Sequence, residues 1–123
     1  MKLTQLIPML WVPDVKEAIQ FYVEKLGFVC ANYIPEAGWG IVRRDGVAIM
    51  LALPNAHTPF NGAQFTGSFY LNTDDIDALW EQLKNSVTIE YPIEDFDYGM
   101  REFAIRDNNG YMIQFGQEIN RKS

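Results

Sequence analysis

The sequence can be read twice as the same order of segments, and this repeat limits the folds open to the chain more than any other feature. An apolar, strand-like segment opens each half, an amphipathic segment follows it, and three further strand-like segments come next. Residues 10–15 align with residues 71–76, and the turn at residues 44–46 aligns with the turn at residues 106–110. An internal repeat means that one supersecondary unit occurs twice. The order strand-helix-strand-strand-strand is therefore predicted in each half.

Two segments carry apolar residues at helical spacing, which predicts two amphipathic helices with one buried face each. Asp14 is suited to cap the first helix and Gly27 to end it, because aspartate accepts bonds from free backbone amides and glycine adopts left-handed angles. Asp74 or Asp75 is suited to cap the second helix. The predicted buried stripes are Val15, Ala18, Ile19, Tyr22, Val23 and Leu26 in the first helix, and Ile76, Leu79, Trp80 and Leu83 in the second.

The two halves are predicted to be modules of one domain that spans residues 1–123. The modules cover residues 1–53 and 67–119, and the linker at residues 54–66 is rich in Pro, Asn and Gly, as a connecting loop should be. An Asp-Gly pair at residues 45–46 predicts a tight hairpin in the first module.

This order predicts an α+β fold in which paired βαβββ modules form a curled mixed sheet around a cavity, with the helices on the outer face. Successive side chains of a strand point to opposite faces of a sheet, so alternation predicts which residues face the cavity. The residues predicted to pack on the helices are Leu6, Leu10, Val12, Phe69 and Leu71, and those predicted to face the cavity are Ile7, Met9, Trp11, Ser68, Tyr70 and Asn72.

The charge and the apolar pattern exclude several classes of function. The net charge is −6, which argues against nucleic-acid binding, because phosphates need basic contacts, and which suits a cationic ligand. No apolar run approaches the roughly 18 residues of a membrane span. We predict no membrane segment and no signal peptide, and expect a cytoplasmic location. Cys30 is the single cysteine, so no disulfide forms within the chain, and a buried structural thiol is expected.

Three segments of the chain carry a resemblance to a known family. The opening MKLTQLIPMLWVPDVKEAIQFYVEKLGF resembles the family's first strand and helix, and WGIVRRDGVAIML resembles its strand-turn-strand. The segment REFAIRDNNGYMIQFG is similar to the ending of bleomycin-resistance proteins, and it is the most specific of the three. The chain thus resembles the glyoxalase/bleomycin-resistance/dioxygenase superfamily over nearly its whole length. The resemblance implies the vicinal-oxygen-chelate fold.

Catalytic members of that family hold a divalent metal with four residues that face the cavity, two from each module. Carried over by the motifs, these positions are Ile7, Met50, Ser68 and Gln114. Isoleucine has no lone pair, a Met thioether suits Cu(I), and two neutral oxygens are too weak for a divalent ion. We therefore expect no metal, no cofactor and no catalytic residue. The single histidine, His57, is expected to be a solvated loop residue.

Without the metal, the predicted cavity has the composition of a ligand site, with apolar and aromatic walls and a few polar anchors. Two interpretations of Trp39 are open: its side chain contacts the ligand, or it packs between subunits. The acidic run at residues 94–97 also has two interpretations: it is a solvated loop, or it forms an acidic rim of the site that attracts a cationic ligand. Phe96 also belongs to the aromatic lining. The predicted ligand-binding residues are Met9, Trp11, Trp39, Met50, Phe60, Ser68, Tyr70, Tyr98, Arg101, Glu102 and Gln114.

The resemblance implies a metal-independent binding protein that acts by sequestration, as bleomycin-resistance proteins do. The expected ligand is a small aromatic or cationic molecule, of which bleomycin is one candidate, and the expected assembly is a homodimer. The alternative is a metal-dependent enzyme of the glyoxalase or dioxygenase type with atypical ligands, so whether the chain is an enzyme stays open. A partner-binding module with a vestigial pocket is a third reading.

Overall fold

A computed structural model describes residues 1–54, 57 and 59–119 of the chain. The chain divides into two compact units, unit 1 at residues 1–63 and unit 2 at residues 64–123. Each unit contains one strand-helix-strand-strand-strand module, as the repeat predicts. Among the described residues, no helix is long and apolar enough to cross a membrane.

Unit 1 is a four-stranded mixed sheet with one helix. Strand β1 pairs in parallel with β4, while β4, β3 and β2 pair antiparallel, in the order β1-β4-β3-β2. Helix α1 packs against β2, β3 and β4. The elements are β1 (Met9–Trp11), α1 (Val15–Leu26), β2 (Val29–Ile34), a short 3-10 turn (Pro35–Ala37), β3 (Trp39–Arg44) and β4 (Val47–Ala52).

Unit 2 repeats this arrangement with longer strands. Strand β5 pairs in parallel with β8, and the order is β5-β8-β7-β6, with the other pairs antiparallel. Helix α2 packs on β7 and β8. The elements are β5 (Phe69–Asn72), α2 (Ile76–Leu83), β6 (Thr88–Asp95), β7 (Met100–Arg106) and β8 (Met112–Glu118). The predicted α+β class is therefore confirmed, with the strands arranged as two four-stranded mixed sheets.

The predicted helix caps are confirmed. The Asp14 side chain accepts a hydrogen bond from the Glu17 backbone amide at 3.0 Å, and Gly27 ends α1 with a φ of 74°. Asp75, not Asp74, caps α2. Its carboxylate takes up one of the amides that the first turn leaves without an intrahelical partner.

Strand alternation is confirmed for the residues inside β1 but not before it. Leu10 and Val12 are buried, as expected of residues that pack on the helix, and Met9 and Trp11 are partly exposed; that these two face a cavity stays a prediction. The prediction for Leu6 is wrong, because its side chain is 88% exposed. Pairing with β4 begins only at Met9, so residue 6 does not belong to the sheet and the alternation of strand side chains does not apply to it.

The prediction of a buried Cys30 thiol is also wrong. Cys30 is exposed. It lies on β2, the edge strand of the unit 1 sheet, at a register irregularity between residues 30 and 32. An apolar run predicts burial only where a strand has packed neighbours on its faces, and an edge strand has fewer of them.

Candidate functional site

The centre of the candidate site is Glu102 on β7, a carboxylate whose residue is only 1% exposed. The hydroxyl of Tyr70 donates to Glu102 Oε1 at 2.9 Å, and that of Tyr98 donates to the same oxygen at 2.7 Å. The hydroxyl of Tyr91 donates to Glu102 Oε2. We call Glu102 with these three tyrosines the tyrosine cluster. A buried carboxylate costs stability unless its oxygens are hydrogen-bonded, and here three phenols supply the bonds.

Gln114 and Ser68 extend this network. The amide nitrogen of Gln114 donates to the Tyr91 hydroxyl at 2.7 Å and to Glu102 Oε2 at 3.3 Å. The Ser68 hydroxyl donates to the amide oxygen of Gln114. Among the described residues, no buried side-chain nitrogen or oxygen lacks a partner. A fully satisfied polar network of this kind holds its members in one geometry.

Strand register explains how Tyr70 reaches Glu102 from two strands away. Across the sheet, Tyr70 pairs with Gln114, and Glu102 pairs with Gly116. The Tyr70 side chain therefore crosses β8 over Gly116. A Cβ atom at residue 116 would lie 2.0 Å from the Tyr70 hydroxyl oxygen, far inside van der Waals contact. The absence of a side chain at Gly116 makes the bond from Tyr70 to Glu102 possible.

The negative charge of Glu102 is not paired with a cation. Within the described ranges, no salt bridge joins Glu102 to a lysine or arginine. Arg101 is its neighbour on β7, but adjacent side chains of a strand point to opposite faces. The arginines of β7 are bound by other carboxylates: Arg101 by Asp77 (2.9 Å) and Asp95 (3.0 Å), and Arg106 by Glu90 (2.8 Å).

The environment of the tyrosines favours their protonated form. Burial is the largest cause, and hydrogen bonding to Glu102 adds to it, so the pKa of Tyr70 lies well above its ordinary value. The same two causes raise the pKa of Tyr98 to about 12. Burial and Glu102 raise the pKa of Tyr91 to about 12, against an opposing effect of Gln114. All three hydroxyls therefore stay protonated at neutral pH and remain hydrogen-bond donors to Glu102.

Aromatic rings surround one side of the tyrosine cluster. The rings of Phe96 and Tyr98 are stacked, with centroids 5.4 Å apart and planes 14° apart. Tyr91 meets Phe96 edge-on at 5.7 Å. The Tyr98 side chain is 65% exposed although its hydroxyl bonds to the buried carboxylate. A ring face is therefore open to solvent next to a buried negative charge.

Four predicted ligand-binding residues share one face of the unit 1 sheet. Met9 pairs with Met50 across the parallel ladder, and both Trp11 and Trp39 pair with Ala52. Met9 and Trp11 are 55% and 40% exposed, while Met50 and Trp39 are half-buried. We call Met9, Trp11, Trp39 and Met50 the unit 1 apolar face. Phe60, also half-buried, lies beyond the last strand of that unit.

Comparison with known proteins gives the family of this chain. The model of the Glyoxalase/Bleomycin resistance protein/Dioxygenase superfamily matches residues 4–115. The chain belongs to this superfamily. Bleomycin resistance proteins of Geobacillus stearothermophilus and Staphylococcus aureus are 30% identical to it over 131 aligned positions, which cover 94% of this chain and 97% of theirs.

Solved structures of the superfamily share the fold. A member from Sphaerobacter thermophilus DSM 20745 is 26% identical, with a TM-score of 0.77 over 95% of this chain and 98% of that one. A lactoylglutathione lyase from Agrobacterium tumefaciens is 19% identical, with a TM-score of 0.72 over 95% of each chain. The second likeness shows the fold alone, so the superfamily fold by itself does not separate a binding protein from an enzyme.

The metal that the superfamily implies does not fit the residues present here. Ser68 and Gln114 are hydrogen-bonded to each other, which occupies the amide oxygen of Gln114. Ile7 and Met50 offer no oxygen or nitrogen ligand in their side chains. Across the described part of the chain, no group of three or more His, Cys, Asp and Glu residues is placed to hold a metal ion.

The structure joins some predicted residues and separates others. It brings together Ser68, Tyr70, Tyr98, Glu102 and Gln114. Arg101 does not join them, since its guanidinium is bound to carboxylates on the helix side of the sheet. Sequence reasoning missed the contribution of one further residue, the tyrosine at position 91. The register shift between Ile89 and Tyr91 turns the Tyr91 ring to the Glu102 face, opposite to Ile89, and simple alternation along TIEYPI does not reveal this shift.

A separate cavity of about 240 Å³ lies in unit 1, beside the start of α1. None of the predicted ligand-binding residues lines it. Its walls are formed by Pro13, Asp14, Val15, Lys16, Tyr33, Pro35, Gly38 and Leu53.

Proposed function

We propose that this chain is a small-molecule-binding protein that sequesters a cationic aromatic ligand without a metal, in the manner of bleomycin-resistance proteins. One observation carries the proposal: Glu102 is a buried carboxylate without a cationic partner, surrounded by aromatic rings. A ligand cation near Glu102 would restore the missing charge pairing, and an aromatic group could stack on the open ring of Tyr98.

The physical basis is the weak screening of a buried charge. A carboxylate withdrawn from water attracts a cation more strongly than a surface carboxylate does, because the surrounding dielectric is lower. The three phenols hold Glu102 in place without neutralising it, so its charge remains available. The net charge of −6 acts in the same direction at longer range.

The relatives support sequestration more than catalysis. Those that match 94% of this chain are named bleomycin resistance proteins. The enzyme alternative needs ligands for a divalent ion, and the counterpart residues Ile7, Met50, Ser68 and Gln114 do not provide them. The homodimer and the cytoplasmic location remain predictions from the family resemblance.

The test is isothermal titration of the metal-stripped chain with bleomycin, together with elemental analysis of the protein as purified. We expect binding near one ligand per chain, without stoichiometric metal. Glu102→Gln removes the charge and keeps the side-chain shape, and we expect it to weaken binding by about 1.5–3 kcal/mol, or about tenfold or more. Glu81→Gln, on the exposed face of α2, removes an equal charge and should leave affinity unchanged.

Two results would count against the proposal. Equal affinity of wild type and Glu102→Gln would remove Glu102 from the site. Stoichiometric nickel, zinc, manganese or iron in the purified protein, without bleomycin binding, would favour an enzyme. The unit 1 apolar face has its own test: Trp39→Ala should weaken binding and leave folding intact, and unchanged affinity would limit Trp39 to packing.

A further inference from the structure

The hydrogen-bond acceptors of Glu102 are all in use. A carboxylate has about four lone-pair positions, two on each oxygen. Oε1 accepts from Tyr70 and Tyr98, and Oε2 accepts from Tyr91 and Gln114. A ligand that carries N–H groups can therefore bond to Glu102 only if one of these donors first leaves. Its charge, in contrast, is felt by any cation that comes near.

A saturated carboxylate distinguishes between two classes of cation. A primary ammonium has three N–H donors that need acceptors once they leave water. A quaternary ammonium has none, and is bound through charge and through the faces of aromatic rings. We propose, resting on the function proposed above, that the cationic group of the ligand is a quaternary ammonium held on the open face of Tyr98 beside Glu102.

The surroundings of Tyr98 fit this class of ligand. Phe96 stacks on one face of the Tyr98 ring, and the side chain is largely exposed. The hydroxyl of Tyr98 donates a hydrogen bond to Glu102, so a cation on the Tyr98 ring is separated from the Glu102 carboxylate by no more than the length of the tyrosine side chain. Glu94 pairs with Glu102 across the β6–β7 ladder and adds a second negative charge that acts on Tyr98. The exposed ring of Tyr98 and the negative charges of Glu102 and Glu94 therefore lie close together.

The experiment compares two probes that differ only in methylation of the nitrogen. Benzyltrimethylammonium and benzylammonium are titrated at pH 7 into the full chain. We expect the quaternary probe to bind about fivefold tighter or more, since a cation on an aromatic face gains affinity of that order when it needs no other partner. The uncharged analogue 2,2-dimethylpropylbenzene, in which a carbon replaces the nitrogen of the quaternary probe, measures the apolar contribution and should bind weakest.

Tyr98→Phe is the decisive variant, because it keeps the ring and removes one hydroxyl from Glu102 Oε1. A free acceptor position then becomes available. We expect benzylammonium to gain affinity and the preference for the quaternary probe to fall by about fivefold or to disappear. Tyr33→Phe, a half-buried tyrosine of unit 1, is the matched control and should preserve the wild-type preference. Tyr98→Ala removes the ring and should weaken the quaternary probe.

The outcomes separate this inference from the proposed function. Equal or tighter binding of benzylammonium to the wild type overturns the inference, and so does an unchanged preference in Tyr98→Phe. If bleomycin still binds in a Glu102-dependent way in either case, the proposed function stands alone. If neither the probes nor bleomycin bind, the proposed function fails and the inference fails with it.

Discussion

Replacing Gly116 with alanine tests the packing that lets Tyr70 reach Glu102. The three atoms nearest to a Cβ at this position all belong to Tyr70: the hydroxyl oxygen at 2.0 Å, Cζ at 2.7 Å and Cε1 at 3.0 Å. Gly116 has no positive φ, so the backbone accepts alanine without strain of its own. The variant therefore forces the Tyr70 ring aside and breaks its 2.9 Å bond to Glu102.

The expected cost follows from two opposing contributions. Losing a hydrogen bond to a charged acceptor costs about 1.5–3 kcal/mol. Replacing a glycine inside a strand returns about 0.5–1 kcal/mol of backbone entropy. Tyr70 is partly exposed and can swing into solvent, so severe overpacking is avoided. We expect Gly116→Ala to lower the free energy of unfolding by about 0.5–2.5 kcal/mol.

Urea denaturation of a double-mutant cycle measures this cost and its origin. In a Tyr70→Ala background the clash and the hydrogen bond are both absent, so Gly116→Ala should cost nothing further there. Gly46→Ala is the matched control, because a Cβ at residue 46 meets no atom within 4 Å, and its effect should stay near zero. Equal destabilisation by Gly116→Ala in both backgrounds would refute the reasoning.

Three further predictions concern single groups. Tyr91 and Tyr98 have pKa values of about 12 in the folded chain against an ordinary 10.0, so their contribution to the free energy of unfolding is fully present below pH 10 and is lost as pH rises through about 12. Phenolate absorbance, followed in parallel with unfolding curves, measures this loss. Titration of all tyrosines at the ordinary pKa would contradict it. Cys30 should react with a thiol reagent in the native chain nearly as fast as in the denatured chain, whereas strong native protection would contradict its exposure. Asp107→Ala should cost about 2–4 kcal/mol in denaturant unfolding, because two backbone amides lose a charged acceptor, while the exposed Asn108→Ala should cost little.

Local rules predicted the fold because each rule depends on residues close in sequence. The caps at Asp14 and Gly27 need only one helix to be true, and so does the spacing of five of the six residues predicted to be buried in α1. The sixth, Val23, is 37% exposed. The repeat then extended each local interpretation to the other half. The predictions for Leu6 and Cys30 were wrong for one reason: both assumed a neighbour in the sheet that the topology does not supply there.

The site was harder to predict than the fold because it depends on contacts between strands distant in sequence. The sequence pointed to Tyr70, Tyr98, Glu102 and Gln114 as separate lining residues, and nothing local indicated that they form one network. Only the register across β5, β8 and β7 shows that a residue without a side chain, Gly116, lies between a tyrosine and its acceptor. The position of a glycine opposite a glutamate cannot be read from either strand alone.

The register of the two sheets also shows where the repeated modules have diverged. In unit 1, Trp39 pairs with Ala52, and in unit 2, Glu102 pairs with Gly116 at the corresponding place. On this face of the sheet, unit 1 has an apolar pair where unit 2 has a glutamate and a glycine.

On the helix side of the strands, two corresponding positions keep the same apolar residue. Leu10 corresponds to Leu71 and Ile49 to Ile113, and both members of the second pair are buried. The helix-facing positions must keep apolar volume, because a core tolerates change only within narrow limits of size. The opposite face is free of that requirement, so it can acquire chemistry without loss of the fold. This difference between the faces supports our proposal that the ligand binds on the Glu102 side of the sheet. On the helix side, Arg101 forms ion pairs with Asp77 of α2 and Asp95 of β6.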